Sequence, residues 1–124
     1  ALEQFSSTLD LTHGLGLAIL MPKWMKYLLD KDETVIDDFA RFGVQVMGVQ
    51  NQDDKKAIAY QTIEVLQSYI KDDLGLPVSL SEIGVDDTYF DKMKVKACYG
   101  GEVLSRGYRP LTQEDCLNIY KMCL

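Results

Sequence analysis

The sequence contains only one histidine and three cysteines, and these shortages exclude several common kinds of site. A single imidazole, His13, cannot build a tetrahedral metal site without other strong donors nearby in the chain. Cys98, Cys116 and Cys123 are odd in number and have no CxxC spacing. They do not suggest a disulfide framework, so we expect a protein of the reducing cytoplasm.

Long hydrophobic runs and an excess of basic charge are also missing. No apolar stretch approaches the roughly 18 to 20 residues of a membrane span, and no basic n-region of a signal peptide follows Ala1. The 124 residues carry 13 Lys and Arg against 19 Asp and Glu, a net charge of −6. An acidic protein gains nothing from counterion release by phosphates. We therefore expect neither a membrane nor a nucleic acid as partner.

The phosphate-binding and nucleophile motifs of the large enzyme families do not occur. Gly14-Leu15-Gly16 begins like a dinucleotide-binding loop, but the third glycine of GxGxxG would fall at Ile19, and no strand precedes the turn. We interpret these glycines as points of close backbone packing at the start of a buried helix. Neither a Walker loop nor a GxSxG elbow is present.

Helical periodicity, in contrast, runs through most of the chain. Residues 15–29 are apolar nearly all round, as in a helix at the centre of a bundle, with a kink or a fresh start expected at Pro22. Apolar stripes predict further helices over residues 35–47 and 59–70. Two more helices are expected, one running from Asp86 or Asp87 to about Cys98 and one opened by Thr112 and including Cys123. We predict one all-α domain over residues 1–124, a helical bundle of about six helices, with residues 100–110 as a loop. Helix-end signals are expected at Gly48, at Asp53 and Asp54, at Ser79 with Glu82, at Asp86 or Asp87, and at Thr112 with Asp115.

Two kinds of side chain could carry chemistry. Taken alone, a single histidine such as His13 is most often a hydrogen-bonded core or helix-end residue, and the alternative is a metal ligand. Cys116 and Cys123 are interpreted as small core hydrophobes. Cys98, at the mouth of a glycine-rich loop, is the remaining candidate for a reactive thiol, although no cationic partner is evident.

A series of short motifs extends from His13 to the last helix. His13, Gly14, Ala18 and Pro22 form the pattern His-Gly-xxx-Ala-xxx-Pro. Further motifs follow in order: Trp24-Met25-Lys26-Tyr27, Phe39-Ala40-Arg41-Phe42-Gly43-Val44, Gly75-Leu76-Pro77, Leu80-Ser81-Glu82-Ile83-Gly84 and Leu111-Thr112-Gln113-Glu114-Asp115. Over essentially its whole length, the chain resembles the C-terminal domain of the iron-containing (group III) alcohol dehydrogenases.

The resemblance implies a dehydroquinate-synthase-like helical domain that supplies metal ligands, while an N-terminal domain absent from this chain binds NAD or NADP. In the family an Asp, a His four residues later and two histidines fourteen residues apart hold the metal, and His13 matches the last of these. The other three ligands would precede Ala1, so the isolated chain is expected to be inactive. The ligand set suits Fe(II) or Zn(II), which would polarise the alcohol oxygen during hydride transfer.

One position departs from the family pattern. Many members carry another histidine ten residues before the last ligand, and here that position is Glu3. A carboxylate there could relay protons, which makes Glu3 the catalytic candidate, with a solvated helix residue as the alternative. The loop from Cys98 to Arg109 corresponds to a variable family segment near the substrate channel.

The whole enzyme implied by the resemblance would be a cytoplasmic homo-oligomer that oxidises primary alcohols or reduces aldehydes. Two alternatives stay open: a stand-alone acidic helical module that binds a partner protein, and a glycerol-dehydrogenase-like or dehydroquinate-synthase-like sibling. An exposed apolar patch would favour a domain that docks on another over a free-standing module.

Overall fold

The computed structural model describes residues 1–5 and 11–124, and there the regular secondary structure is helical apart from one short ribbon. The prediction of an all-α fold with about six helices is therefore confirmed. The α-helices are α1 (Leu2–Phe5), α2 (His13–Lys31), α3 (Ile36–Gln45), α4 (Lys55–Ser68), α5 (Phe90–Ala97) and α6 (Gln113–Met122). The other elements are 3-10 turns at Glu33–Val35 and Ser81–Ile83, a π-helical turn at Tyr69–Asp73, and strands β1 (Val103–Leu104) and β2 (Leu111–Thr112).

Helix α2 lies at the centre of the fold and packs against both α4 and α6. It runs through Pro22 without interruption, so of the two alternatives expected there, a kink or a fresh start, the fresh start is wrong. A proline inside a helix lacks one backbone hydrogen bond. Pro22 is fully buried, and we attribute the continuity of the helix to that packing.

Burial of α2 on all sides, as its sequence predicts, is also wrong. Ile19, Met25 and Leu29 are buried as expected. Leu17 is 50% exposed and Met21 is 41% exposed, one turn apart on the same side of the helix. One face of the central helix therefore remains open.

Helices α3 and α4 meet at an unusually close contact. A Cβ atom placed on Gly43 of α3 would lie 1.9 Å from Oγ1 of Thr62 in α4. Thr62 is fully buried, and its hydroxyl donates to the carbonyl of Ile58 at 2.7 Å. Gly48, which follows α3, has φ of +72°, the left-handed conformation expected of a residue that ends a helix.

The predicted capping interactions are present at the starts of α4 and α6 and between Ser79 and Glu82. Asp54 accepts from the amide of Ala57 at 3.1 Å at the start of α4. Thr112 and Asp115 form the reciprocal capping box of α6, with the amide of Asp115 donating to the Thr112 hydroxyl. The Glu82 carboxylate accepts from the Ser79 amide at 2.9 Å in the same way.

The start of α5 differs from the prediction, because neither Asp86 nor Asp87 caps it with a side chain. Tyr89 holds the capping position, without a side-chain hydrogen bond to the helix. The Asp86 carboxylate instead accepts from the amide of Thr88 at 3.0 Å and closes a local turn. This competing turn delays the helix until Phe90.

Residues 100–110 form a loop as predicted, closed by the ribbon. Leu104 pairs with Leu111 and Val103 with Thr112 in antiparallel register. The ribbon joins the end of α5 to the start of α6 and holds the loop beside α2. Within the described residues, no helix combines the length and hydrophobicity needed to cross a bilayer.

Candidate functional site

His13 and Glu3, the two site residues expected from the sequence, lie in direct contact. His13 is the first residue of α2, and Glu3 belongs to α1. The imidazole Nδ1 and the carboxylate Oε1 are 2.7 Å apart. Both side chains face water, with 78% of His13 and 47% of Glu3 exposed. The pair therefore forms a charge-assisted contact that solvent can reach.

The packing of α1 on α2 explains this contact. Leu2 is 4% exposed and anchors α1 in the core. A Cβ atom on Gly16 would lie 3.5 Å from Cδ2 of Leu2, an ordinary van der Waals distance, so Gly16 lies against α1 but a small side chain would also fit there. No such contact occurs at Gly14, where a Cβ atom would meet nothing within 4 Å. Gly16 thus packs against α1 at an ordinary contact distance, and the predicted close packing is wrong at Gly14.

The cap at the start of α2 sets the backbone position of His13. The hydroxyl of Thr12 accepts from the amide of Leu15 at 3.4 Å, and the Thr12 carbonyl accepts from the amide of Gly16 at 3.1 Å. Both hydrogen bonds hold His13 at the first position of the helix. Asp10, which opens the motif around His13, lies outside the described residues.

The donor set available for a metal ion consists of one ring nitrogen. With Nδ1 of His13 bonded to Glu3, Nε2 is the imidazole nitrogen left for a cation, an arrangement typical of metal-binding histidines. In the part of the chain that the structure describes, no three His, Cys, Asp or Glu side chains group together to hold a metal. His13 fits one corner of a metal site whose other ligands these residues do not supply.

A groove of about 350 Å³ opens beside the His13–Glu3 pair. Its polar end is formed by these two side chains and Lys96, and Leu17 and Leu20 of α2 continue it as an apolar surface. Tyr99, Leu104 and Tyr120 form the opposite wall. We call this groove, together with the adjoining apolar groove described in the next paragraph, the α2 groove.

The second part of the α2 groove has a volume of about 360 Å³ and is lined almost wholly by apolar side chains. Leu17, Leu20 and Leu104 line both parts, so the two are continuous. Met21 and Trp24 extend the floor along α2, away from His13. The sequence did not identify these residues as a site, because their hydrophobicity indicated core. The usable signal was the spacing of four residues that places Leu17 and Met21 on the same side as His13.

The three cysteines are buried in the core, and Cys116 also contributes to the lining of the apolar part of the α2 groove. Cys98 is 3% exposed, and its thiol lies 4.0 Å from the carbonyl of Leu111. Burial, reinforced by the neighbouring Cys98, raises the pKa of the Cys116 thiol to about 12. Burial also raises the pKa of the Cys123 thiol to about 12. The structure therefore agrees with the core interpretation of Cys116 and Cys123 and gives no support to a reactive Cys98.

A polar network that the sequence did not predict joins α2 to α6. The Tyr27 hydroxyl of α2 donates to the carboxylate of Asp115 in α6 at 2.6 Å, and Lys31 lies 3.4 Å from the same oxygen. Burial opposes ionisation of Asp115, but hydrogen bonds from Tyr27 and Thr112 outweigh it and lower its pKa. This network fixes α6, and with it Tyr120, against α2.

Comparison of the sequence with known proteins identifies a family and several relatives. The sequence model of the Fe-containing alcohol dehydrogenase family, C-terminal, matches residues 2–124. NADH-dependent butanol dehydrogenases B and A of Clostridium acetobutylicum are each 34% identical to the chain, over 121 and 119 residues and 96% of its length. A probable NADH-dependent butanol dehydrogenase 1 of Bacillus subtilis is 30% identical over 121 residues. The chain spans 30% of the length of each relative.

Proposed function

The chain belongs to the Fe-containing alcohol dehydrogenase family, whose C-terminal region it matches, and from this premise we propose that it is the metal-binding helical part of an NAD(P)-dependent alcohol dehydrogenase. The reaction of the whole protein is hydride transfer between a primary alcohol or aldehyde and a nicotinamide cofactor. The observation that carries the proposal is the His13–Glu3 pair at the mouth of the α2 groove. It places a histidine whose Nε2 is left for a metal ion next to an apolar surface for an organic substrate.

His13 serves as one ligand of the metal. Its Nδ1 donates to Glu3, which places the ring lone pair on Nε2, the nitrogen directed away from the carboxylate. Fe(II) or Zn(II), when bound, supplies a Lewis acid that polarises the alcohol oxygen. The helix cap formed by Thr12 keeps the imidazole in place, so this chain contributes a positioned donor and not the acid or base.

Glu3 has a position from which it orients His13 and exchanges a proton. One carboxylate oxygen accepts from the imidazole, and 47% of the side chain is open to water. The second oxygen is able to take up the proton that the alcohol loses and pass it to solvent. Orientation of His13 and proton relay are separable by the substitutions described in the Discussion.

The nicotinamide cofactor is assigned to the remainder of the whole protein. The three relatives described above are named as NADH-dependent or probable NADH-dependent dehydrogenases, which favours NAD, and NADP remains part of the proposal. The sequence of this chain has neither a complete GxGxxG motif nor a Walker loop to cradle a pyrophosphate. We accordingly expect the isolated chain to be inactive, and the whole protein to be a cytoplasmic homo-oligomer.

The exposed face of α2 favours this function over that of a free-standing helical module. Leu17 and Met21 are large apolar side chains with 50% and 41% of their surface open to water. Contiguous exposed apolar surface marks a place where a ligand or another domain binds. Its continuity with the His13–Glu3 pair supports a substrate site at this location.

The test is to substitute His13 in the full-length protein that carries this chain. We expect His13→Ala to abolish stoichiometric metal, measured by elemental analysis, and to reduce alcohol-dependent NAD(P)H formation at least about a hundredfold, since one ligand of a catalytic metal is lost. Lys55→Ala is the matched control, because Lys55 is likewise the exposed first residue of a helix. Full metal content and unchanged turnover in His13→Ala would refute the proposal.

A further inference from the structure

The loop of residues 100–110 is attached to the rest of the fold at its base and at its tip. At the base, the ribbon pairs its strands, and the side chain of Gln113 donates to the carbonyl of Gly101 at 2.7 Å. At the tip, Tyr108 and Arg109 contact α3 and the 3-10 turn that precedes it. The side chains of residues 105–107, between these attachments, are exposed.

Arg109 makes most of the polar contacts of the tip. Its Nε atom lies 3.4 Å from a carboxylate oxygen of Asp32, and its Nη2 atom donates to the hydroxyl of Thr34 at 3.3 Å. The guanidinium carbon lies 4.2 Å from the centre of the Tyr108 ring, within cation–π range. Only 29% of the Arg109 side chain and 32% of the Asp32 side chain are exposed. Salt therefore screens this ion pair less than one on an open surface.

Tyr108 joins the tip to the floor of the α2 groove. Its hydroxyl donates to the carboxylate of Asp38 in α3. Its ring centre lies 6.1 Å from that of Phe39 and 6.0 Å from that of Trp24. Trp24 lines the far part of the α2 groove, and Leu104 of the same loop lines both parts. A movement of this loop would therefore shift one wall of the groove and uncover its floor.

The surroundings of the tip leave room for such a movement. A shallow apolar cavity of about 270 Å³, lined by Tyr108, Trp24 and Phe42 among others, lies beside the tip, so the tip is not closely packed. Gly107, directly before the two anchoring residues, has φ of +125°, a conformation that suits glycine. Hinges are commonly a few loop residues that absorb a change of backbone angle. Gly107 allows the tip to rotate while the ribbon stays paired.

We propose that Tyr108 and Arg109 form a latch that holds the loop against α3, and that release of this latch opens the α2 groove beside Trp24. The structure shows the closed state. In the open state, Arg109 leaves Asp32 and the Tyr108 ring leaves Trp24. The latch consists of residues of this chain alone, so the inference does not rest on the proposed function.

Tryptic cleavage of the bond between Arg106 and Gly107 in the full-length protein measures the opening. This bond lies in the tip, and proteolysis follows the population of the open form when opening is faster than cleavage. We expect Arg109→Leu to raise the cleavage rate at least about fivefold, because the bonds of a charged group are lost. Tyr108→Phe keeps the ring and loses the bond to Asp38, so it should raise the rate by a smaller factor. Each rate is divided by that of a synthetic loop peptide with the same substitution.

Lys26→Leu is the matched control. Lys26 is also paired with an aspartate, Asp30 at 3.4 Å, and lies 5.8 Å from the centre of a tyrosine ring, that of Tyr60. It belongs to α2 and not to the loop, so its substitution should leave the cleavage rate at the parent value. If Arg109→Leu loses helical circular dichroism, Tyr108→Phe decides. Cleavage at the parent rate in the folded latch variants overturns the inference.

A second measurement tests whether the open latch uncovers the groove. Acrylamide quenching of Trp24 is obtained as the difference between each protein and its Trp24→Phe counterpart. We expect stronger quenching of Trp24 in Arg109→Leu than in the parent, and parent-like quenching in Lys26→Leu. Faster cleavage with unchanged quenching of Trp24 would mean that the loop opens without uncovering the groove, which overturns the inference.

Discussion

The contact between Gly43 and Thr62 is the most demanding packing constraint in the fold, and it gives a sharp prediction for Gly43→Ala. On local grounds the substitution should help, because alanine is favoured over glycine within a helix by about 1 kcal/mol. The added Cβ atom would lie 1.9 Å from Thr62 Oγ1, whereas real contacts of this kind are essentially never shorter than 3.0 Å. The steric effect and the propensity effect therefore oppose each other at one residue.

Relief by rotation of the threonine is not available. Its Cβ and Cγ2 atoms lie only 3.0 and 3.3 Å from the new methyl position, and its hydroxyl is bonded to the carbonyl of Ile58. Helices α3 and α4 would have to move apart by about 1 Å in a close-packed interior. Since overpacking costs about 1 to 3 kcal/mol or more, we expect Gly43→Ala to lower the free energy of unfolding by about 2 kcal/mol after the helix-propensity gain.

Urea unfolding of the 124-residue chain, followed by helical circular dichroism, measures this change. Gly14→Ala is the control, because Gly14 is also a helical glycine but has nothing within 4 Å of its Cβ position, and it should be neutral or stabilising. In a Thr62→Ala background the Oγ1 and Cγ2 clashes are gone, so Gly43→Ala should cost at least about 1 kcal/mol less. Equal costs in both backgrounds, or a stabilised Gly43→Ala, would refute the steric argument.

Three further predictions concern Glu3, Asp115 and the cysteines. Glu3→Ala should weaken metal binding of the full-length protein about 10- to 100-fold by freeing the imidazole, with Glu64→Ala as control. Glu3→Gln keeps a hydrogen-bond acceptor, so intact metal affinity with reduced turnover would indicate proton relay, and intact turnover would exclude it. The pKa of Asp115 is lowered by its bonds to Tyr27 and Thr112, so its contribution to stability is complete above the ordinary Asp value of about 3.9 and is lost as pH falls through the lower folded value. Asp115→Asn should therefore flatten the loss of stability between about pH 5 and pH 2 in acid titrations, and an unchanged slope would contradict this assignment. The three cysteines are buried, two of them with pKa near 12, so a thiol reagent at pH 8 should label them only after unfolding; rapid labelling of the native chain would show that the core is open.

Features that depend on neighbours in the chain were predicted well. The capping box of Thr112 and Asp115 and the pair formed by Ser79 and Glu82 each join residues three apart. Gly48 takes its positive φ three residues after the last residue of the helix it was expected to end. The predicted cap at Asp86 was wrong, because this side chain accepts from the amide of Thr88 and closes a turn instead of capping α5.

The candidate site was predicted only in part. His13 and Glu3 were identified through the family resemblance, but the sequence did not show that they touch. That contact requires α1 to lie on α2, which depends on the packing of Leu2 against Gly16. The groove was missed because the sequence does not show whether a given leucine is exposed or buried.

By itself, the sequence determined the helical fold, most helix ends and the family, because periodicity, caps and motifs are recorded in residues a few positions apart. The tertiary structure alone decided which side of α2 stays open, where Glu3 meets His13, and that Tyr27 bonds Asp115 across 88 residues. These outcomes depend on how whole helices pack. If another helix covered the apolar face of α2, that face would be part of the core. Because the face is uncovered and lies beside His13, it is a candidate binding site.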